Sequence, residues 1–590
     1  MTLTFCRPII RTWSIRLSSV AAATCLLTSV IGCGGSTPNS SATTPTAEKD
    51  AAASDRERCE KKLATAVGLL EPQAMATLTR PDAVVGGLND WLTTCVPEEK
   101  RVAAVSDMNQ KLLSSQVLRL AGSARFTESD ANYIRDCLLL GDFAGATWEK
   151  ADAATSAGFA SDTDRVVRLF NELVRFVAIL PQSEQRVPVG LYEVLVTGRG
   201  RPEDRIWIFA EALRQRQIDA VLLETDAPPT EGSSSLPEIC QQLVAVIADN
   251  QVLLFDPLRG TAVPTAEDAG PIVTKPAGME ALSAGERWKG CRVRLIAQPA
   301  AFAPRMNILQ AGLNADKAAV LYEELAGGNS EIQPLIERVV GASGGAWTKD
   351  QIAIWEYPEM AVISANSLAE DQKQQYRDLM RPFDTPFERD PLKSDSLVND
   401  PGFTEDGQSE EVMMARRIQI LEERIQKMTE SSEEMFGKPS RRLLKARIEQ
   451  IAGVADISML QQLQQVRLAS MEESIEVEIK VTDKKIATAE VALPEAIRSV
   501  HRGATSDTLY WTSLCQVSRG DTGAAVTTLR NYRRQYPEEK WVYPSMICEA
   551  ILLIESNDLP PARELLVQAD QEANPERIRV QWLLSRLPAE

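Results

Sequence analysis

Few side chains in this chain could do nucleophilic or acid–base work. There is one histidine, His501, and histidine is the only side chain whose ordinary pKa lies near neutrality. General-base chemistry therefore has few routes. His501 follows the apolar Ile497–Val500 stretch and reads as an exposed residue in a polar turn. The cysteines from Cys59 on, at 59, 95, 137, 240, 291, 515 and 548, are scattered and form no Cys-x-x-Cys pair. That spacing argues against zinc, and no metal or other cofactor is expected. Seven is odd, so if disulfides form, at least one thiol stays free or pairs between chains. The adjacent acids Glu203 and Asp204 suit the positive end of a helix dipole better than a glycosidase pair. Gly341-Ala342-Ser343-Gly344-Gly345 lacks the lysine of a phosphate loop and reads as a turn.

The most informative cysteine is Cys33. Arg7, Arg11 and Arg16 precede an apolar, small-residue run from Leu17 to Gly32 that is too short to span a bilayer. The run ends in Val30-Ile31-Gly32-Cys33, which resembles the lipobox of bacterial lipoproteins. The resemblance implies cleavage after residue 32 and lipid on Cys33. Residues 33–55 are rich in Gly, Ser, Thr, Pro and Ala and read as a flexible tether. An exported, extracytoplasmic chain held to a membrane through Cys33 is expected, and several acyl chains would anchor it stably.

The 590 residues carry a net charge of −18, which becomes about −21 once the three signal arginines are removed. Such acidity argues against a nucleic-acid partner and against lying flat on an anionic bilayer. A protein or peptide partner is expected.

The length predicts three or four domains. Residues 56–180 read as helical, with Val166, Leu169, Phe170, Leu173, Phe176 and Val177 forming one apolar stripe. Residues 181–300 change character. Pro202-Glu203-Asp204 opens a helix, Ala220–Leu223 reads as a strand, and Leu243–Ala248 and Val252–Phe255 form a hairpin through Asp249-Asn250. Arg292–Ile296 is a further strand. Residues 301–480 return to helix, with an exposed linker near 382–407 and a short seam at Met414, Ile418, Leu421, Ile425 and Met428. Glu473–Val481 alternates as a strand does.

The 189–264 segment resembles the core of transglutaminase-like, papain-like proteins. It has Gly200-Arg201-Pro202 at a helix start, Phe209–Arg214 with Ile218-Asp219-Ala220 after it, and Leu254-Phe255-Asp256-Pro257. In that family a Cys at the helix N-terminus is activated by a His that an Asp orients. Here the Cys position falls on Pro202, the His position on Gln241 and the Asp position on Asp256. Only Asp256 matches, so the resemblance implies a kept fold and a lost dyad. Cys240 sits beside the His position and not at the helix start. The alternative is a transglutaminase-like or cysteine-peptidase-like enzyme with rearranged residues.

Residues 481–590 contain a repeat. Asp521, Ala525 and Leu529 recur 37 positions later as Asp558, Ala562 and Leu566. This resembles tetratricopeptide repeats. Tyr510, Trp511, Trp541 and Tyr543 either line a face for a partner segment or fill the space between helices. The expected architecture is mainly α, with a central α+β transglutaminase-like domain and C-terminal α–α repeat helices. The expected role is a tethered scaffold or peptide-binding lipoprotein, not an enzyme.

Overall fold

The structure is a computed structural model. It describes residues 45–588 except for 76–80, 102–114, 156–157, 185, 226–240, 269, 285–287, 289, 297, 299–301, 313–331, 384–441, 471–473, 483–484 and 493–494. Contacts divide the chain into Met1–Ser54 and Asp55–Glu590. The Cys33 lipobox, most of the 382–407 linker, the Met414–Met428 seam and Cys240 lie outside the described residues.

The chain is mostly helical with a small mixed sheet. Helices α1 (Pro45–Gly68), α2 (Pro81–Cys95) and α3 (Glu128–Ala154) open it. Cys59 of α1 and Cys95 of α2 are joined by a disulfide. Thr127 caps α3, its hydroxyl accepting from the Asp130 N–H while Asp130 returns a bond to the Thr127 N–H. Asp130 is buried, and its charge is met by Arg305 at 2.7 Å. Helix α4 (Asp162–Phe176) begins at Ser161, which accepts from the Asp164 N–H, and buries Val166, Leu169, Phe170, Leu173 and Phe176 as the stripe requires. The sequence reading carried that stripe past Phe176. The helix instead stops there, because β1 (Ala178–Ile179) pairs in parallel with β2 (Arg199–Gly200), which follows α5 (Leu191–Thr197).

Helix α6 (Pro202–Arg214) starts with proline at its first turn, as expected. It is buried on every side from Asp204 to Arg214. Beside it lies a six-stranded sheet in the order β6-β5-β4-β3-β7-β8: β3 (Asp219–Glu224), β4 (Gln242–Ala248), β5 (Gln251–Asp256), β6 (Thr261–Ala262), β7 (Arg292–Leu295) and β8 (Ile352–Ile354). All pairings are antiparallel except β7 with β8. The β4–β5 turn is the expected one: Asp249 and Asn250 both take positive φ, as a primed two-residue turn demands.

Both faces of the sheet are covered. Leu222, Val244, Val246, Leu253 and Phe255 join the α4–α6 core. Val221, Leu223, Leu243, Ala245 and Leu254 face the other way, onto Leu335, Ile336 and Val339 of α8 (Ile332–Ala342), which follows α7 (Ala303–Gly312). Strand β8 shows that the sheet extends beyond the boundary at residue 300 expected from sequence. Gly344 and Gly345, both at positive φ, end α8 in a turn.

Helices α9 (Tyr357–Asn366), α10 (Glu370–Met380), α11 (Arg442–Ile451) and α12 (Ile457–Ser470) follow. Strand β9 (Ser474–Thr482) forms where sequence predicts a strand and pairs with β10 (Lys485–Ala492). The C-terminal part is α13 (Glu495–Ser518), α14 (Thr522–Gln535), α15 (Val542–Glu555), α16 (Leu559–Ala569) and α17 (Arg577–Arg586). The 37-residue spacing reappears in space: α14 and α16 start one residue after Asp521 and Asp558, and Ala525, Leu529, Ala562 and Leu566 are all fully buried. His501 lies within α13, not in the turn that sequence predicted. The helix runs through it because the apolar pattern resumes at Ala504 and Leu509.

Candidate functional site

The first turn of α6 and the end of β5 meet. Arg205, in that turn, donates to the Val177 carbonyl at 2.7 Å and to the Pro257 carbonyl, one residue past Asp256, at 3.3 Å. In β4 and β5, Val244 stands opposite Phe255. Continuing that register puts Leu243 opposite Asp256 and Gln241 two positions further along the same edge. The three positions that the resemblance singled out therefore sit on elements whose ends converge.

Only one of the three, Asp256, carries an ionisable side chain. Pro202 is half-buried at the helix start and has no reactive atom. Gln241 is exposed, and its carbonyl accepts from the Thr225 N–H at 3.0 Å. Asp256 is fully buried, and its Oδ1 accepts from the N–H groups of Leu258 and Arg259 at 3.0 and 2.9 Å. It closes a turn at the strand end, with the Arg259 guanidinium 3.6 Å from Oδ2.

What fills the junction comes from the far end of the chain. Glu576, just before α17, forms an ion pair with Arg205 and also accepts from the Ile179 N–H at 3.2 Å and from Arg579 at 3.2 Å. Arg205 is fully buried and Glu576 nearly so. Burial opposes the charge on Glu576, but Arg205, Arg579 and the Ile179 N–H together hold its carboxyl below the usual value. The cavity left beside it, walled by Arg175, Arg259, Glu576, Arg579 and Trp582, holds about 70 Å³. Ligand sites are several-fold larger. Trp207 and Phe209 of α6 are buried core residues.

None of the described free thiols is set up for nucleophilic attack. Cys137, Cys291, Cys515 and Cys548 are buried, and burial raises every one of them, Cys515 to about 12. A thiol held protonated is a poor nucleophile. Among the described residues, no group of His, Cys, Asp and Glu is placed to hold a metal ion.

Of the four aromatics that sequence left open between a binding face and the space between helices, three are interior. Tyr510 stacks on Trp541 at 4.6 Å, and the Trp541 N–H donates to Asp507 at 2.7 Å. Trp511 packs under the Arg447 guanidinium at 4.4 Å. All three rings are at most 3% exposed, so they fill the space between helices. Tyr543, half-buried, is the one of the four still at the surface.

Sequence reasoning missed Arg205 and Glu576. Arg205 reads as an ordinary charge on an amphipathic helix, and a partner 371 residues away leaves no local signal. No protein-family model matches the chain, and neither a curated protein nor a solved structure is found similar to it.

Proposed function

We propose that this protein is a membrane-tethered, extracytoplasmic scaffold or peptide-binding lipoprotein. In this reading the 181–300 region is a transglutaminase-like domain without catalysis, and the C-terminal helices are tetratricopeptide-like repeats that brace it. One observation carries the proposal. The junction between the first turn of the central helix and the end of the Asp256 strand is closed by the buried Arg205–Glu576 pair, contributed jointly by that helix and the C-terminal helices. Such a junction positions one part of the chain against another and leaves no room for substrate.

The Cys59–Cys95 disulfide supports an oxidising, extracytoplasmic setting. No described helix is long and apolar enough to cross a membrane, and lipid on Cys33 would supply the attachment. The partner would dock on the outer surface of the repeats, near Tyr543 and the exposed Val567.

The test is photocrosslinking of the full lipidated chain in its own membranes, with a photoreactive residue placed at Tyr543, at Val567 or at Phe159, which is remote in sequence and 78% exposed. Capture of one defined protein from the two repeat positions and not from Phe159 supports the reading. Equal capture from all three, or none, contradicts it.

A further inference from the structure

Away from the closed junction, several stretches of chain enclose a second cavity of about 330 Å³. Helix α3 brings Tyr133, Arg135 and Asp136, α5 brings Glu193, α6 brings Trp207, and Phe302, Tyr376 and one side of α9 are also in the wall. This volume falls in the range of small-molecule sites, which the repeat-side cavity does not reach.

The walls are fixed before any ligand arrives. Phe302 stacks on Tyr133 with ring centres 4.7 Å apart. The Tyr133 hydroxyl and the Trp207 N–H both donate to the buried Glu211, at 3.2 and 3.3 Å. Aromatic rings in the wall of a cavity suit the apolar body of an organic cation.

The charges on the wall do not balance. Arg135 donates to Asp136 at 2.8 Å and reaches Glu193 at 3.4 Å, and all three side chains are less than 10% exposed. The guanidinium also lies 3.8 Å over the Tyr192 ring. Tyr376 donates its hydroxyl to Glu193 at 3.3 Å but brings no charge. Two carboxylates thus face one guanidinium, a surplus of one negative charge away from water. Burial pushes the Asp136 carboxyl up to about 6 and Glu193 adds to the rise, against the pull of Arg135. A buried charge without a full partner is costly, and a cationic group entering the cavity would complete the set.

We propose that this cavity binds a small organic cation, an ammonium on an aliphatic or aromatic body. Asp136 and Glu193 hold the charge, and Tyr133, Trp207 and Phe302 hold the apolar part. The site is distinct from the α6–β5 junction and does not depend on the scaffold reading.

Calorimetric titration of the full chain tests this with phenethylammonium and, separately, with phenylpropionate, which has a similar shape and the opposite charge. The ammonium binds and the carboxylate does not. Glu193→Gln keeps an acceptor for the Gly190 N–H, which donates to Glu193 at 3.0 Å, yet weakens the ammonium at least about tenfold. Asp136→Asn does the same, its amide oxygen keeping an acceptor for the Tyr192 N–H. Unchanged melting of both variants separates lost binding from lost folding. If a variant fails to fold, the contrast between the two probes on the unaltered chain decides. Binding of both probes alike, of neither at millimolar concentration, or of the ammonium to both folded variants with undiminished affinity overturns the proposal.

Discussion

Glu576→Ala removes one member of an ion pair whose other member, Arg205, is fully buried. Arg205 keeps its bonds to the Val177 and Pro257 carbonyls but loses its only carboxylate among the contacts described above. Breaking a buried pair from one side costs about 3–5 kcal/mol, because a charge is left unmatched away from water. The double variant Arg205→Met with Glu576→Leu leaves no unmatched charge on Arg205, although the Val177 and Pro257 carbonyls and the Ile179 N–H lose these partners, so it costs at least about 1 kcal/mol less than the sum of the two single changes. Urea unfolding followed by tryptophan fluorescence measures both, since Trp582 lines the same cavity. A pH series adds an independent check. The Glu576 carboxyl is depressed in the folded chain. Its contribution is therefore complete above the ordinary glutamate pKa of about 4.3 and is lost as pH falls through the lower folded value. Glu576→Gln abolishes that acid-side slope. A cost below about 1 kcal/mol for Glu576→Ala, the scale of an exposed pair, would mean that the junction is not closed in solution.

Other expectations follow from the same reasoning. Arg447 has no exposure and caps the carbonyls of Leu195, Val196 and Phe176, so Arg447→Met leaves several buried acceptors unmet and costs at least about 3 kcal/mol in the same urea assay. Gly198→Ala is disfavoured at that place too: Gly198 has φ +70, and an added Cβ would lie 3.0 Å from both the Phe176 carbonyl oxygen and the Trp541 ring. Replacing Cys59 and Cys95 with serine opens a crosslink spanning 36 residues, worth about 4 kcal/mol on the loop-entropy scale, and limited proteolysis should then cut first in α1 and α2. Asp136 titrates in the opposite sense to Glu576. Its folded pKa is raised to about 6, so stability falls as pH climbs from about 4 to that value and then levels. The groups that set this window are Arg135 on its own helix, Glu193 and the Tyr192 N–H on α5, and Tyr376 behind Glu193. Asp136→Asn should flatten the slope.

The sequence announced those features whose causes are local. Pro202 at a helix start, Asp249-Asn250 at a hairpin and the 37-residue recurrence of Ala and Leu all appear where sequence placed them, because turn chemistry, proline geometry and helix packing act over a few residues. Elements set by distant partners were not legible. Strand β8 is three residues long and exists because β7 offers an edge. Helix α4 ends at Phe176 because Ala178 and Ile179 find Arg199 and Gly200. The candidate site shows the same division. Asp256 was visible as a strand-end acid, but the burial of Arg205, Glu211 and Arg214 in a helix core depends on Glu576, Tyr133 and the Ile296 carbonyl, far away in sequence. Tyr510, Trp511 and Trp541 look alike in a sequence whether they face a partner or each other, and only packing decides.

The central claim, an anchored protein whose transglutaminase-like domain does no chemistry, is tested most directly by mapping every cysteine by mass spectrometry. The chain is purified from membranes and exposed to a glutamine-containing acyl-donor peptide. The account predicts a lipid-bearing Cys33 as the first residue, a Cys59–Cys95 bridge, unmodified Cys137, Cys291, Cys515 and Cys548, and no thioester on any cysteine. A donor-derived thioester on Cys240 or on one of those four, or an unprocessed chain without lipid on Cys33, would contradict it.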